Sequence, residues 1–181
     1  MMVPQISVSQ LSSRAKRGIC IAWIMLTVSP VFGQGIFPNG WRRITQAEAA
    51  DDWRQKSRTR YLLVKGDFDG DGKSDTAELL LNPSANQFAL FVKLASSAKW
   101  QMLGEPFDVK VLDRFGIDLV KPGKYQTACG KGYGDYACAH GEPNFLLLSA
   151  PGIDLFYTES SDSIFYWDRK SGKFVEVLMS D

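Results

Sequence analysis

From residue 61 onward the chain is a succession of short apolar runs punctuated by glycine, proline, asparagine and aspartate. Residues 61–64, 76–81 and 88–94 are such runs, and Asn82-Pro83-Ser84-Ala85-Asn86 turns the chain between the second and the third. Runs of this length bounded by turn residues predict strands, and three in succession predict an antiparallel meander. Further strand candidates are 99–103, 107–112, 117–120, 145–148, 153–157, 164–167 and 174–178. The last two are joined by Asp168-Arg169-Lys170-Ser171-Gly172, which has the composition of a hairpin turn. One stretch alone predicts a helix, from Thr45 to about Lys56. Thr45 and Glu48 have the spacing of a capping box, and Ala47, Ala50 and Trp53 recur at near-helical spacing, so that Trp53 is expected to pack on the sheet. The expected class is therefore α+β and β-rich: an antiparallel meander sheet with one N-terminal helix.

The beginning of the chain departs from this pattern. A polar segment ends in Arg14-Ala15-Lys16-Arg17, and the apolar stretch 18–28 that follows is shorter than the roughly 20 residues a membrane-spanning helix needs. Ser29-Pro30 breaks it, and Val31-Phe32-Gly33 precedes a cleavage point. Residues 1–33 thus read as a secretory signal peptide and 34–181 as a single β-rich domain that is periplasmic or secreted, with no membrane anchor after cleavage. Cys20 lies inside the leader rather than at its end, which argues against lipidation. Lysine and arginine number 21 against 20 acids, and removing Arg14, Lys16 and Arg17 with the leader leaves a slightly acidic chain without a basic block. Nucleic acid is accordingly not an expected partner.

Export changes how the remaining cysteines are read. Cys129 and Cys138 bracket a glycine-rich segment, and in an oxidising compartment an even pair of this kind is most simply a disulfide. The alternative is a zinc site using both cysteines, His140 and a fourth ligand such as Asp135, although the spacing follows no zinc motif.

The densest chemistry lies in Gly66-Asp67-Phe68-Asp69-Gly70-Asp71-Gly72-Lys73-Ser74-Asp75, followed by Thr76-Ala77-Glu78. Aspartates so closely spaced repel one another in a compact turn unless a cation sits among them, and a hard divalent ion suits their oxygens. Counted from Asp67, the acids occupy loop positions one, three, five and nine, Gly72 supplies the sharp turn, Lys73 offers its backbone carbonyl, and Glu78 stands where an EF-hand places a bidentate ligand. An EF-hand requires a helix on each side, whereas Tyr61-Leu62-Leu63-Val64 enters this loop and Pro83 soon follows it. Strands are expected on both flanks instead, which leaves the facing of Glu78 open.

In this strand-loop-strand setting the segment 66–75 resembles the calcium loop of FG-GAP and VCBS-type repeat proteins. The resemblance implies one Ca2+ site at Asp67, Asp69, Asp71, the Lys73 carbonyl and Asp75, with Glu78 as a further candidate, on an extracellular β-structure. It covers about 20 residues and occurs once, so a propeller, which needs one loop per blade, is excluded. The wider arrangement is similar to that of small uncharacterised secreted bacterial proteins. A faint internal echo pairs Gly116-Ile117-Asp118-Leu119 with Gly152-Ile153-Asp154-Leu155.

No Gly-x-Ser-x-Gly elbow, His-Glu-x-x-His motif or phosphate-binding loop in a strand-to-helix setting is present, and there is one histidine. The functional expectation is a calcium-braced binding module for a protein or glycan partner, with no catalytic residues assigned. It would present a strand edge or an aromatic face built from some of Tyr133, Tyr136, Phe165, Tyr166 and Trp167, residues that a core role suits equally well. Two alternatives remain: a small hydrolase of cell-wall or polysaccharide material using Glu159 or Asp162, and an inhibitor or immunity-type protein that uses the segment 130–136 as a plug.

Overall fold

The computed structural model describes residues 37–97, 99–133, 138 and 141–180; the expected leader lies outside them. Eleven strands follow in chain order: β1 (Arg42–Arg43), β2 (Leu63–Gly66), β3 (Asp75–Asn82), β4 (Gln87–Lys93), β5 (Gln101–Asp108), β6 (Phe115–Val120), β7 (Gly123–Gln126), β8 (Phe145–Leu148), β9 (Gly152–Tyr157), β10 (Asp162–Asp168) and β11 (Lys173–Ser180). The first sheet is the expected meander. β2, β3, β4 and β5 pair antiparallel in succession, and β1 shares with β2 one edge of β3. The second sheet has the order β11-β10-β9-β6, again antiparallel, and β7 with β8 forms a separate pair.

The continuous apolar runs of β3 and β4 are explained by burial on both faces. Ala77, Leu79 and Leu81, with Phe88, Leu90 and Val92, join Ile117, Ile153, Leu155 and Phe165 of the second sheet in the main core. Leu80, Ala89 and Phe91 point the opposite way, beneath Phe37, Trp41 and Trp100. The outer face of the second sheet is covered in turn by β7 and β8, where Leu146 and Leu148 pack with Ile164, Val177 and Met179. All these residues belong to one compact unit, Gln34–Asp181.

Two expectations are corrected. The candidate strands 99–103 and 107–112 are instead the single strand β5 followed by a 3-10 helix, Val109–Arg114. The register against β4 passes from Phe88 opposite Phe107 to Leu90 opposite Leu103, which leaves Gly104, Glu105 and Pro106 as a bulge. Gly104 has a positive φ of 67°, and β5 is an edge strand, where a proline removes no ladder bond.

The helix expected from Thr45 to Lys56 is not formed as one element. Its capping box is present, with the Thr45 amide donating to Glu48 Oε2 at 2.8 Å and the Glu48 amide to Thr45 Oγ1 at 3.3 Å. After one turn the chain straightens at Asp51, whose ψ is 137°, and resumes as a 3-10 helix, Asp52–Lys56. Arg54 decides this. Its side chain is fully buried, donating to the carbonyls of Arg60, Leu112 and Phe115 and to Asp51 Oδ2, and a continuous α-helix would not aim residue 54 at that set. The described α-helix is a single turn, α1 (Ala128–Lys131), so the β-rich part of the expectation stands.

Candidate metal loop and the clefts around it

The acidic loop connects two paired strands, since Gly66 of β2 lies opposite Asp75 of β3. Phe68 organises it. Its ring is completely buried in the main core, while the aspartates on either side are partly exposed. Gly70 and Gly72 have φ of 75° and 85°, left-handed conformations that glycine adopts without steric cost. The turns are tied by side chain to backbone bonds: Gly72 N–H to Asp67 Oδ2 at 2.9 Å, Asp71 N–H to Asp69 Oδ1 at 3.1 Å, and Lys73 N–H to Asp71 Oδ1 at 2.8 Å.

Asp67, Asp69 and Asp71 each place one carboxylate oxygen within 4.8 Å of the others, a group that could hold a metal ion. The residues fit such an ion on a further observation: Asp67 Oδ1 is buried and accepts no hydrogen bond. Burial, together with the charges of Asp75, Asp71 and Asp67, pushes the Asp69 carboxyl above its usual range, which is the crowding a cation relieves.

The other expected ligands have different engagements. Asp75 is buried, and both its oxygens accept backbone amides, Oδ2 from Phe68 at 2.8 Å and Oδ1 from Ala95 at 2.7 Å. It therefore ties the start of the loop and the end of β4 to the start of β3. Glu78, also buried, lies within β3 and is paired with Arg43, with Nε 2.7 Å from Oε1. Lys73 extends its ammonium to Asp71 Oδ2 at 3.3 Å. The loop also meets the second sheet, because an added Cβ at Gly70 would collide with the Arg169 guanidinium in the β10–β11 turn. That turn is the expected hairpin, closed by Gly172 N–H to Asp168 O at 2.8 Å.

Cys129 and Cys138 stand at disulfide distance, with Cα atoms 5.0 Å apart. His140 and Asp135, which the zinc alternative names, lie outside the described residues, as do residues 134–136 of the proposed plug. Of the residues named for an aromatic face, Tyr166 and Trp167 line one cavity of about 170 Å³ beside Arg169, and the others do not join them among the described residues. Phe165 is in the main core, Tyr166 packs on the opposite side of β10, and Tyr133 is exposed elsewhere, as period-two alternation along a strand requires for the first two. Tyr136 lies outside the described residues.

Glu159 and Asp162 do not converge either, for they line different cavities. Asp162 faces a space of about 410 Å³ between the second sheet and β7, together with Asp154, Lys124 and Lys131. Asp154 Oδ1 is buried there without a partner, and burial, with the charges of Asp162 and Asp118, pushes its carboxyl up to about 7. The echo between 116–119 and 152–155 was the available signal for this, since it marks β6 and β9 as partners with Asp118 directly opposite Asp154. Glu159 lines the larger cleft, of about 710 Å³, with Trp53, Tyr61 and Phe156.

Among the described residues no helix is long and apolar enough to cross a membrane. Compared with protein-family models, with curated proteins and with solved structures, the chain matches none.

Proposed function

We propose that the protein is a secreted or periplasmic calcium-binding module whose ion is structural. Asp67, Asp69 and Asp71, with the Lys73 carbonyl, would hold one Ca2+. A leader of signal-peptide form and a cysteine pair at disulfide distance support the compartment. The observation that carries the reading is the buried, unpartnered Asp67 Oδ1 beside two further carboxylates, in a loop anchored by Phe68 in the core and touching Arg169 at Gly70. An ion there offsets the repulsion within the loop and stiffens the contact between the two sheets. A role in holding a partner agrees with these features better than a reaction does, because the acids expected of a hydrolase line separate cavities.

Calorimetric titration with Ca2+, and thermal melts in excess calcium and in chelator, test this. One site is expected, with stabilisation of about 2.7 kcal/mol at a calcium concentration near 100 times Kd. Absence of both heat and a melting shift overturns it.

A further inference from the structure

The cleft lined by Trp53, Tyr61 and Phe156 has a construction that the calcium loop does not account for. The three rings are mutually packed, with centroids 5.5 Å apart for Trp53 and Tyr61, 5.8 Å for Trp53 and Phe156, and 5.5 Å for Tyr61 and Phe156. None is fully buried, so each gives part of its surface to the cleft. The chain bends sharply to place them. Arg60 and Tyr61 have φ of 55° and 56°, and Glu159, on the same cleft, has φ of 62°. Side chains rarely adopt this region, and such conformations persist only where surrounding contacts over-determine them. Here Arg54 Nη1 donates to Arg60 O at 3.0 Å, Ile117 N–H to Tyr61 O at 2.8 Å, and Arg60 Nη1 to Ala49 O at 2.8 Å. Gly116 completes the arrangement, because a Cβ at that position would overlap the Phe156 ring and crowd Tyr61.

The polar rim is as informative as the rings. Among the described residues the Asp113 and Glu159 carboxylates and the Lys56 ammonium make no hydrogen bond, and the charges of Asp113 and Glu159 act on Arg114. Arg114 donates to Tyr157 Oη at 2.9 Å. Apart from Asp51, which is paired with the buried Arg54, the carboxylates of Asp113, Asp118 and Glu159 outnumber the cations of Lys56 and Arg114. Such a rim offers paired acceptors to hydroxyl or amine donors and repels phosphates and carboxylates. A sugar ring has the complementary form, since its C–H face is apolar while its edge carries adjacent hydroxyl donors. The volume is also that of a small-ligand site.

We infer that this cleft binds a neutral or amino-bearing saccharide chain, seated on Trp53, Tyr61 and Phe156 and held at its edge by Asp113 and Glu159. The inference rests on reading the protein as a binding module, and names the class of its partner.

The test titrates the purified protein, in saturating calcium, with cellohexaose, with chitohexaose and its deacetylated counterpart, and with oligogalacturonate as the acidic control. At least one of the first three is expected to bind, and oligogalacturonate to bind at least about tenfold more weakly. Tyr61→Gly removes a ring while relieving the positive φ, and Glu159→Gln keeps the shape of the rim. Each should weaken binding about tenfold or more with the melting transition retained. Should Tyr61→Gly fail to fold, Glu159→Gln alone decides. Binding by none of the three, equal affinity for oligogalacturonate, or affinity unchanged in Glu159→Gln overturns the inference. Calcium binding is read by its own titration, so loss of the saccharide result leaves the metal reading standing, and the reverse.

Discussion

Asp118 of β6 and Asp154 of β9 lie directly opposite each other in an antiparallel pair. Like charges in that relationship destabilise a sheet unless one is neutralised. Asp118 is exposed and accepts from Leu119 N–H at 2.8 Å, whereas Asp154 is half-buried, with its Oδ1 buried and unpartnered. Asp154 is accordingly the member that retains its proton, up to about pH 7.

A raised carboxyl fixes the sign of the pH dependence. The folded state binds the proton more tightly than the unfolded chain, so the stability contributed by this group is complete below pH 4 or so and is lost as pH rises through about 7. Asp154→Asn should therefore flatten the alkaline side of the stability profile. It should leave the protein nearly unchanged at pH 4 and stabilise it at pH 8 by on the order of 2 kcal/mol, the full shift being discounted for partial solvent access. Urea denaturation of both proteins across that range checks it, and parallel profiles would show that Asp154 titrates normally.

The acids of the loop should separate into two groups under mutation. Asp69→Asn removes a carboxylate from the group able to hold an ion, so calcium stabilisation should disappear while stability in chelator changes little or rises. Asp75→Ala should cost about 2–4 kcal/mol even in chelator, because it leaves the buried amides around Phe68 and Ala95 without their acceptor. Glu78→Gln should lower stability by about 1–2 kcal/mol through Arg43 and leave calcium affinity intact. Melting curves of the three variants with calcium and with chelator distinguish these outcomes.

Much of this was legible in the chain, and the failures have physical causes. Strands with strong apolar runs, such as β3, β4 and β8, were readable because each is bounded by turn residues. β7 was not, since Gly-Lys-Tyr-Gln carries little apolar signal and is ordered by pairing with β8. The helix over Thr45–Lys56 failed because a capping box specifies a first turn, and the continuation was decided by a buried arginine, two of whose four acceptors, Leu112 and Phe115, lie 58 and 61 residues away. The loop's spacing marked Asp67, Asp69 and Asp71 but could not reveal that β3 turns Glu78 to Arg43. The aromatic cleft was hidden for a similar reason, as Trp53, Tyr61 and Phe156 come from three separated segments.

Gly70 offers a test of the link between the sheets. Gly70→Ala places a Cβ at φ 75° against the Arg169 guanidinium, and should destabilise by about 1–2 kcal/mol. Arg169→Ala removes the obstructing group, so the double variant should recover the steric part and retain the backbone part. A double-mutant cycle with coupling of at least about 0.5 kcal/mol confirms the contact in solution, and strict additivity refutes it.

Arg54 bears the heaviest structural demand in the molecule. Its guanidinium is buried and lies 4.4 Å from the Trp53 ring centroid, and burial lowers its pKa, although arginine remains charged in any case. Its one ion-pair partner among the described residues, Asp51, is partly exposed and takes a single nitrogen, while three bonds go to the carbonyls of Arg60, Leu112 and Phe115. The guanidinium thus serves mainly as a staple for backbone acceptors that have turned inward. Lysine carries the charge but cannot span that set, so Arg54→Lys should cost about 3–5 kcal/mol, as should Arg54→Met, which fills the space and leaves the carbonyls unpaired. Asp51→Asn, which weakens only the ion pair, should cost about 1 kcal/mol. Equal losses for Asp51→Asn and Arg54→Met in urea unfolding would instead assign the stability to the ion pair.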